Sequence, residues 1–267
     1  MSSDLMSATR PYVLSIAGFD PSGGAGLLAD IKTFEAHNVQ GLGVCSALTF
    51  QNEREFLDTK WIDPGEILMQ IDVLFKCYRI NWAKIGLIEN LDILDRIIDH
   101  LKSYNAGIDI IWDPILKATA GFVFHDKIPK EKLFEICKKI YLITPNFSEI
   151  MELLPGIKQE AGANILSNYC KVLIKGGHRK NGFSTDILYH ANHSNEIFEA
   201  KRIKKNTKHG TGCVHSSALL TNLANGKKYF LALATILQAK KKRFGICKIV
   251  ASISKSDLPL LMFDFWP

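Results

Sequence analysis

Apolar residues recur along this chain in two rhythms. Short continuous apolar runs at residues 12–18, 42–50, 82–87 and 108–112 read as strands buried on both faces. Between them, apolar residues return every three or four positions, as Leu27, Ile31 and Phe34 do within 27–37, and such spacing predicts helices. The same spacing predicts helices over 64–77, 91–103, 130–139, 147–154 and 159–169, with strands at 140–144 and 172–175. Residues 184–189 and 195–200, separated by a polar turn, read as an antiparallel hairpin, and helices over 211–223 and about 228–243 follow. Regular alternation of strand and helix predicts a three-layer α/β/α architecture: a central, mostly parallel sheet with the small hairpin at its margin.

In such a sheet ligands bind beyond the carboxyl ends of the strands. Asp20, Gln51, Gly86, Asp113, Asn146 and the Lys175-Gly176-Gly177-His178 cluster each follow a predicted strand, so their polar groups converge on one edge. The loop Phe19-Asp20-Pro21-Ser22-Gly23-Gly24-Ala25-Gly26 is rich enough in glycine to let a ligand approach the backbone, although many α/β chains use such a loop for the turn alone. Gly210-Thr211-Gly212-Cys213 opens a helix. Its first-turn N–H groups lack intrahelical acceptors, which makes an anion site, and the same donors favour a thiolate, so Cys213 is expected to be more acidic than a free thiol. An ordinary glycine turn followed by a packing cysteine is the plainer reading of those four residues.

Composition narrows the class. The 267 residues are 47% hydrophobic and 22% charged, which suits one folded domain spanning 1–267, with residues 1–10 as a flexible lead-in. Net charge is +6, but the cations are scattered. The one dense run, Lys240-Lys241-Lys242-Arg243, reads as a solvated helix face, and no nucleic-acid partner is expected. Six cysteines without a C-x-x-C pair read as reduced thiols, and neither a signal peptide nor a membrane-spanning run is apparent, so a cytoplasmic protein without membrane contact is expected.

Seven motifs then occur in one order. They are residues 15–32 (SIAGFDPSGGAGLLADIK), Ala47-Leu48-Thr49-Phe50-Gln51-Asn52, Lys84-Ile85-Gly86-Leu87, Trp112-Asp113-Pro114, Thr144-Pro145-Asn146-Phe147-Ser148-Glu149, Leu173-Ile174-Lys175-Gly176-Gly177-His178 and His209-Gly210-Thr211-Gly212-Cys213. Together they resemble the ribokinase-like superfamily, and most closely its hydroxymethylpyrimidine/phosphomethylpyrimidine kinases of thiamine biosynthesis. The resemblance implies transfer of the ATP γ-phosphoryl group to 4-amino-5-hydroxymethyl-2-methylpyrimidine and then to its monophosphate. Phosphoryl transfer is mainly positioning and charge stabilisation, so the N–H groups of Gly210, Thr211, Gly212 and Cys213 would cradle the phosphoryl group. Cys213 stands where the sugar kinases of the superfamily carry an aspartate base.

By the same resemblance Asn146 and Glu149 hold a Mg2+–phosphate assembly through water, with Asp113 beside the metal and Lys175 beside the nucleotide phosphates. A helix cap by Asn146 with Glu149 closing a capping box accounts for that pair without a metal. Gln51, Asp20, Gly24 and Leu87 fall at pyrimidine-contacting positions, and an amide at Gln51 can both donate to and accept from an aminopyrimidine edge. His178 and His209 flank the site. The resemblance also implies a homodimer, as relatives commonly pair. Departures from the pattern are Phe19 where a small hydroxyl residue is usual, Leu87 where methionine is frequent, and Ser254-Lys255-Ser256-Asp257-Leu258-Pro259-Leu260 in place of a glycine-rich ending that covers the nucleotide. A pyridoxal kinase and a non-catalytic, ligand-binding descendant are the competing readings.

Overall fold

The computed structural model describes residues 10–52, 54–117, 124, 128–176, 183–191, 194–201 and 210–227. Nine strands form one sheet in the order β3-β2-β1-β4-β5-β6-β7-β8-β9. The strands are β1 (Tyr12–Phe19), β2 (Gln40–Gln51), β3 (Phe56–Trp61), β4 (Ile80–Ile85), β5 (Asp109–Trp112), β6 (Leu142–Ile143), β7 (Lys171–Ile174), β8 (Phe183–Tyr189) and β9 (Asn195–Lys201). The six from β2 to β7 in that spatial order are mutually parallel, and antiparallel pairing occurs at both margins, β2 with β3 and β7–β8–β9. All the parallel strands therefore end on the same edge.

Among the described residues seven helices cover the two faces: α1 (Gly26–Ala36), α2 (Pro64–Phe75), α3 (Leu91–Tyr104), α4 (Lys130–Lys139), α5 (Phe147–Leu153), α6 (Gln159–Ser167) and α7 (Thr211–Ala224). Alternate side chains of a strand point to opposite faces, so neighbours on β1 enter different cores. Val13 joins Phe34 of α1 and Leu219, Leu220 and Leu223 of α7 in one cluster. Leu14 and Ile16 join Ile71 of α2, Ile98 of α3, Leu133 of α4 and Leu166 of α6 in the other. In α3 the buried set Leu91, Leu94, Ile97, Ile98 and Leu101 follows helical spacing, and the Asn90 side chain accepts from Ile93 N–H to close its start.

Two predicted boundaries shift for visible reasons. The expected strand over 140–144 is only Leu142–Ile143, since Ile140 closes α4 and Pro145 follows Thr144. β3 was not anticipated; its residues are half-buried or exposed along an edge, so no single apolar face marks it. The predicted helix over 228–243, the Lys240–Arg243 run, the 254–260 segment, His178 and His209 lie outside the described residues.

Where α1 ends against α7, His37 follows the last helical residue, with its ring nitrogen 3.5 Å from the Asn222 amide and its carbonyl accepting from Asn225. Burial, reinforced by the Lys227 ammonium, pushes the His37 imidazolium down to about 4. Folding thus disfavours the protonated ring. The contribution is fully present above the ordinary histidine value of 6.5 and is lost as pH falls through about 4. Thermal unfolding followed at pH 7 and at pH 4.5 should show a smaller acid loss of Tm in His37→Gln than in the unchanged chain; equal losses would contradict this account.

Candidate active site

Strand ends bring the site together through backbone bonds. Asp113 N–H donates to the Ile85 carbonyl of β4, Thr144 N–H to Trp112 of β5, and Lys175 N–H to Pro145, each at 2.9–3.0 Å. These bonds step one residue past each strand across β4, β5, β6 and β7. Asp113, Asn146 and Lys175 are carried to a common edge by the register of the sheet.

Their side chains form a row of alternating charge. Asp30 on α1 pairs with Lys84 on β4 at 2.6 Å, both side chains fully buried. Next comes Asp113 after β5, whose Oδ1 accepts from Lys175 at 2.6 Å and from Thr144 at 3.0 Å, while Oδ2 accepts from Ser216 of α7 at 2.9 Å. Burial opposes ionisation of Asp113, but the Lys175 and Lys84 ammonium groups and the hydrogen bonds of Lys175 and Ser216 outweigh it and hold the carboxyl down at about 2. Lys175 is correspondingly held above the ordinary lysine range: burial opposes its charge, and Asp113 and Glu149 overcome it. Glu149 goes the other way. Its desolvation and the neighbouring Asp113 outweigh Lys175, and its carboxyl rises to about 7.

At the head of α7, Gly210 has φ 77°, the left-handed region, and a Cβ there would sit 1.9 Å from the Gly24 carbonyl oxygen. The glycine loop after β1 and the turn before α7 are therefore in backbone contact. Among the described residues no side chain caps α7, so its first turn presents N–H donors and the positive end of the helix dipole. A Cβ on Gly212 would stand 3.6 Å from Lys175 Nζ, which brings that ammonium to the same place. Gly210, Thr211, Gly212, Cys213 and Lys175 thus form a cationic seat of the kind phosphate groups occupy.

The expected acidity of Cys213 is corrected here. The residue is buried, and desolvation together with the Asp30 and Asp113 carboxylates outweighs Lys84 and the Gly26 N–H, which raises the thiol to about 11. A helix start favours a thiolate only where nearby carboxylates and burial do not oppose it more strongly.

Other predicted residues are placed as follows. Asp20 is buried and shapes the glycine loop, accepting from Ser22 N–H and Ala25 N–H, both at 2.9 Å. The Gly24 N–H donates to Ser22 Oγ at 3.2 Å. Gln51 ends β2, donating to Thr49 Oγ1 at 2.8 Å, and Thr49 in turn donates to the Phe19 carbonyl. Leu87 is buried, with Cδ2 within 2.9 Å of where a Cβ on Gly18 would be, so Gly18, Phe19, Thr49, Gln51 and Leu87 make one wall. Asn146 and Glu149 complete a full capping box, Asn146 Oδ1 accepting from Ser148 and Glu149 N–H and Glu149 Oε2 accepting from Asn146 N–H.

Among the described residues no cluster of three or more His, Cys, Asp or Glu side chains has the arrangement of a metal site. Asp113 and Glu149 at the phosphate seat nevertheless suit a magnesium ion, which keeps most of its water and takes few protein ligands. Ser15, Asp30 and Lys84 stand within the motifs that carry the resemblance but were assigned no role, and Ser216, Ser217 and the buried pair of Asp186 with His215 at 2.9 Å were not singled out. A further signal was Lys84 itself, a lysine inside a strand otherwise apolar enough to be buried. A hollow of about 430 Å³, lined by Arg10, Arg79 and Trp82 among others, lies at the opposite edge, where the parallel strands begin.

A parallel sheet of this order, with strand-end carboxylates and lysines facing an uncapped glycine-led helix, defines a ribokinase-like phosphotransferase. Residues 20–241 match the phosphomethylpyrimidine kinase family, and the chain belongs to that family. It is 38% identical over 231 residues to the hydroxymethylpyrimidine/phosphomethylpyrimidine kinase of Aquifex aeolicus, covering 83% of this chain and 89% of that one. The crystal structure of phosphomethylpyrimidine kinase from Clostridium difficile matches with a TM-score of 0.71 at 30% identity, over 86% of this chain and 97% of the other. Pyridoxal kinase from Staphylococcus aureus in complex with ADP shares the fold, with a TM-score of 0.76 at 24% identity over 90% and 92% of the two chains. The family match stops at residue 241, short of the divergent 254–260 segment.

The close packing of Gly210 on Gly24 gives a direct test of the seat. Gly210→Ala should lose at least about 1–2 kcal/mol from the left-handed backbone alone, with more from the carbonyl contact, measured by urea unfolding. An unchanged midpoint would mean that the turn is not held as described.

Proposed function

We propose that this chain transfers the γ-phosphoryl group of ATP to the hydroxymethyl oxygen of 4-amino-5-hydroxymethyl-2-methylpyrimidine, and in a second round to its monophosphate, for thiamine biosynthesis. The observation that carries this reading is the cationic seat at the head of α7 facing the Asp113–Lys175 pair, in a chain of the phosphomethylpyrimidine kinase family. The names of the relatives support the substrate.

In this reading the N–H groups of Gly210, Thr211, Gly212 and Cys213 receive the oxygens of the transferred group, and Lys175 faces its charge. Cys213 takes the alcohol proton as the new P–O bond forms and the bond to the β-phosphate oxygen breaks. With the thiol raised to about 11, the thiolate fraction is small at neutral pH, so turnover governed by it should climb as pH rises from 6 toward 9. Asp113 and Glu149, with Asn146 beside them, would hold a magnesium ion through its water shell, and that ion would neutralise charge on the phosphates. Gln51 and the Gly18–Leu87 wall line the pyrimidine side, while Asp20 and Gly24 act by fixing the loop beneath it.

Five described cysteines are all free thiols, which supports a cytoplasmic setting, and among the described residues no helix is long and apolar enough to cross a membrane. The exposed apolar side chains Leu48, Phe50 and Leu57 at the β2–β3 edge support pairing as a homodimer, and residues 1–267 are read as one domain.

A coupled ATPase assay with magnesium, comparing the hydroxymethylpyrimidine, its monophosphate and pyridoxal, tests the reading. Turnover should occur with the first two and be weak with pyridoxal. A preference for pyridoxal would shift the assignment to vitamin B6, and no turnover with any of them would end both kinase readings. Cys213→Ala should leave the fold intact and lower kcat by about 100-fold or more; a near-normal rate would reduce the thiol to packing.

A further inference from the structure

Asp30 and Lys84 are the only fully buried ion pair among the described residues, and no element of the proposed reaction uses it. Such a pair is a poor means of holding a fold together, because desolvating two charges offsets much of their attraction, and apolar side chains of similar size would serve the core as well. Its connections are specific. Asp30 Oδ1 accepts from Lys84 Nζ and from Ser217 Oγ, and Oδ2 from Ser15 Oγ, each at 2.6 Å. Ser217 lies four residues beyond Cys213, one helical turn along the same face of α7. Its neighbour Ser216 bonds Asp113 instead, so the opening turns of α7 hang from two carboxylates, one on each side.

We propose that the buried Lys84–Asp30 pair is a positioning element for the transfer reaction: Lys84 holds a fixed positive charge against the helix that carries Cys213, and Asp30 ties that charge to the first turns of α7 through Ser217. The thiol is faced by Lys84 from β4, Asp30 from α1, and Asp113 and Lys175 from the ends of β5 and β7, while His215 on its own helix is engaged by Asp186. Lys84 is the foremost of these groups in favouring the thiolate, and Asp30 and Asp113 oppose it. Asp30, Cys213 and Asp113 in turn keep Lys84 above the ordinary lysine range against its burial. The lysine therefore remains a cation where water screens it little, and its pull on the sulfur is offset in part by Asp30, 2.6 Å from its ammonium. A negative group entering the α7 seat adds to the carboxylates that oppose the thiolate, which makes the Lys84 cation the counterweight the reaction needs.

Because this role rests on the proposed part played by Cys213, it is tested on the thiol itself and not only on turnover. The rate of Cys213 alkylation by iodoacetamide, followed by peptide mass across pH in the full chain, reads thiol ionisation. Lys84→Met should move the midpoint up by roughly one unit or more, and Asp30→Asn, which keeps the shape and removes the opposing charge, should move it down. Opposite signs support a fixed charge acting through space; no shift, or shifts of the same sign, overturn the proposal. If Lys84→Met fails to fold, Asp30→Asn decides alone. On the unmodified chain, the slowly exchanging ammonium 15N resonance of a buried lysine should move when Cys213 is alkylated, and an unmoved resonance also overturns it. In the coupled assay, Lys84→Met should lower kcat about tenfold with the KM for ATP within about twofold. Should Cys213→Ala keep full turnover, the proposed function of the thiol falls, while the alkylation profile still judges Lys84 by itself.

Discussion

The structure depends on one constraint: charges taken out of water at the ends of parallel strands must be balanced by one another. Asp30, Lys84, Asp113 and Lys175 alternate in sign from α1 across the sheet, and each carboxylate is also met by hydroxyl donors from Ser15, Ser217, Thr144 or Ser216. Isolated, any one of them would cost several kcal/mol to bury. Arranged in a row, they offset one another, and Asp113 is held at about 2 although it is buried. The helix head above them presents donors and a cation that need no rearrangement, the arrangement electrostatic catalysis of the proposed transfer requires.

Everything else in the fold serves that row. The parallel register pairs Trp112 with Ile143 and Asn146 with Lys175, so Asp113, Thr144 and Lys175 leave their strands on one edge. Two separate apolar cores, one on each face of the sheet, hold α1 and α7 on the same side, and the α1–α7 contact is what delivers Asp30 to Ser217. Glycine at 210 lets the turn before α7 touch the loop after β1 through backbone, where a side chain would strike the Gly24 carbonyl oxygen at 1.9 Å, and glycine at 26 lets that loop fold back on the end of β1, where a side chain would strike the Gly18 carbonyl oxygen at 2.2 Å. The thiol is thereby enclosed, and its high affinity for a proton is a consequence of the enclosure.

Most of the architecture was readable from periodicity, because strands buried on both faces and helices with one apolar stripe leave strong patterns. β3 was not, since an edge strand with no fully buried residue has no one-sided pattern to find. Strand-end residues were readable as a set: Asp113, Asn146, Glu149 and Lys175 do stand together, and the plain capping-box reading of Asn146 and Glu149 is met in full alongside. The acidity of Cys213 was misjudged because the helix start is local in sequence, whereas the opposing carboxylates come from α1 and the end of β5. The same holds for Asp30 and Lys84, which stand in two of the seven motifs but whose partnership spans 54 positions and is not local in sequence. His178, His209 and the 254–260 segment lie outside the described residues.

The central claim is that nucleotide phosphates sit at the head of α7, between the glycine loop and the Asp113–Lys175 pair. Amide NMR shifts recorded while titrating a non-hydrolysable ATP analogue into the full chain test it most directly. The account predicts the largest shifts at Gly210, Thr211, Gly212 and Cys213, with Lys175 and Gly24 following. Shifts concentrated instead around Arg10, Arg79 and Trp82, in the hollow at the opposite edge of the sheet, with the α7 amides unmoved, would contradict it.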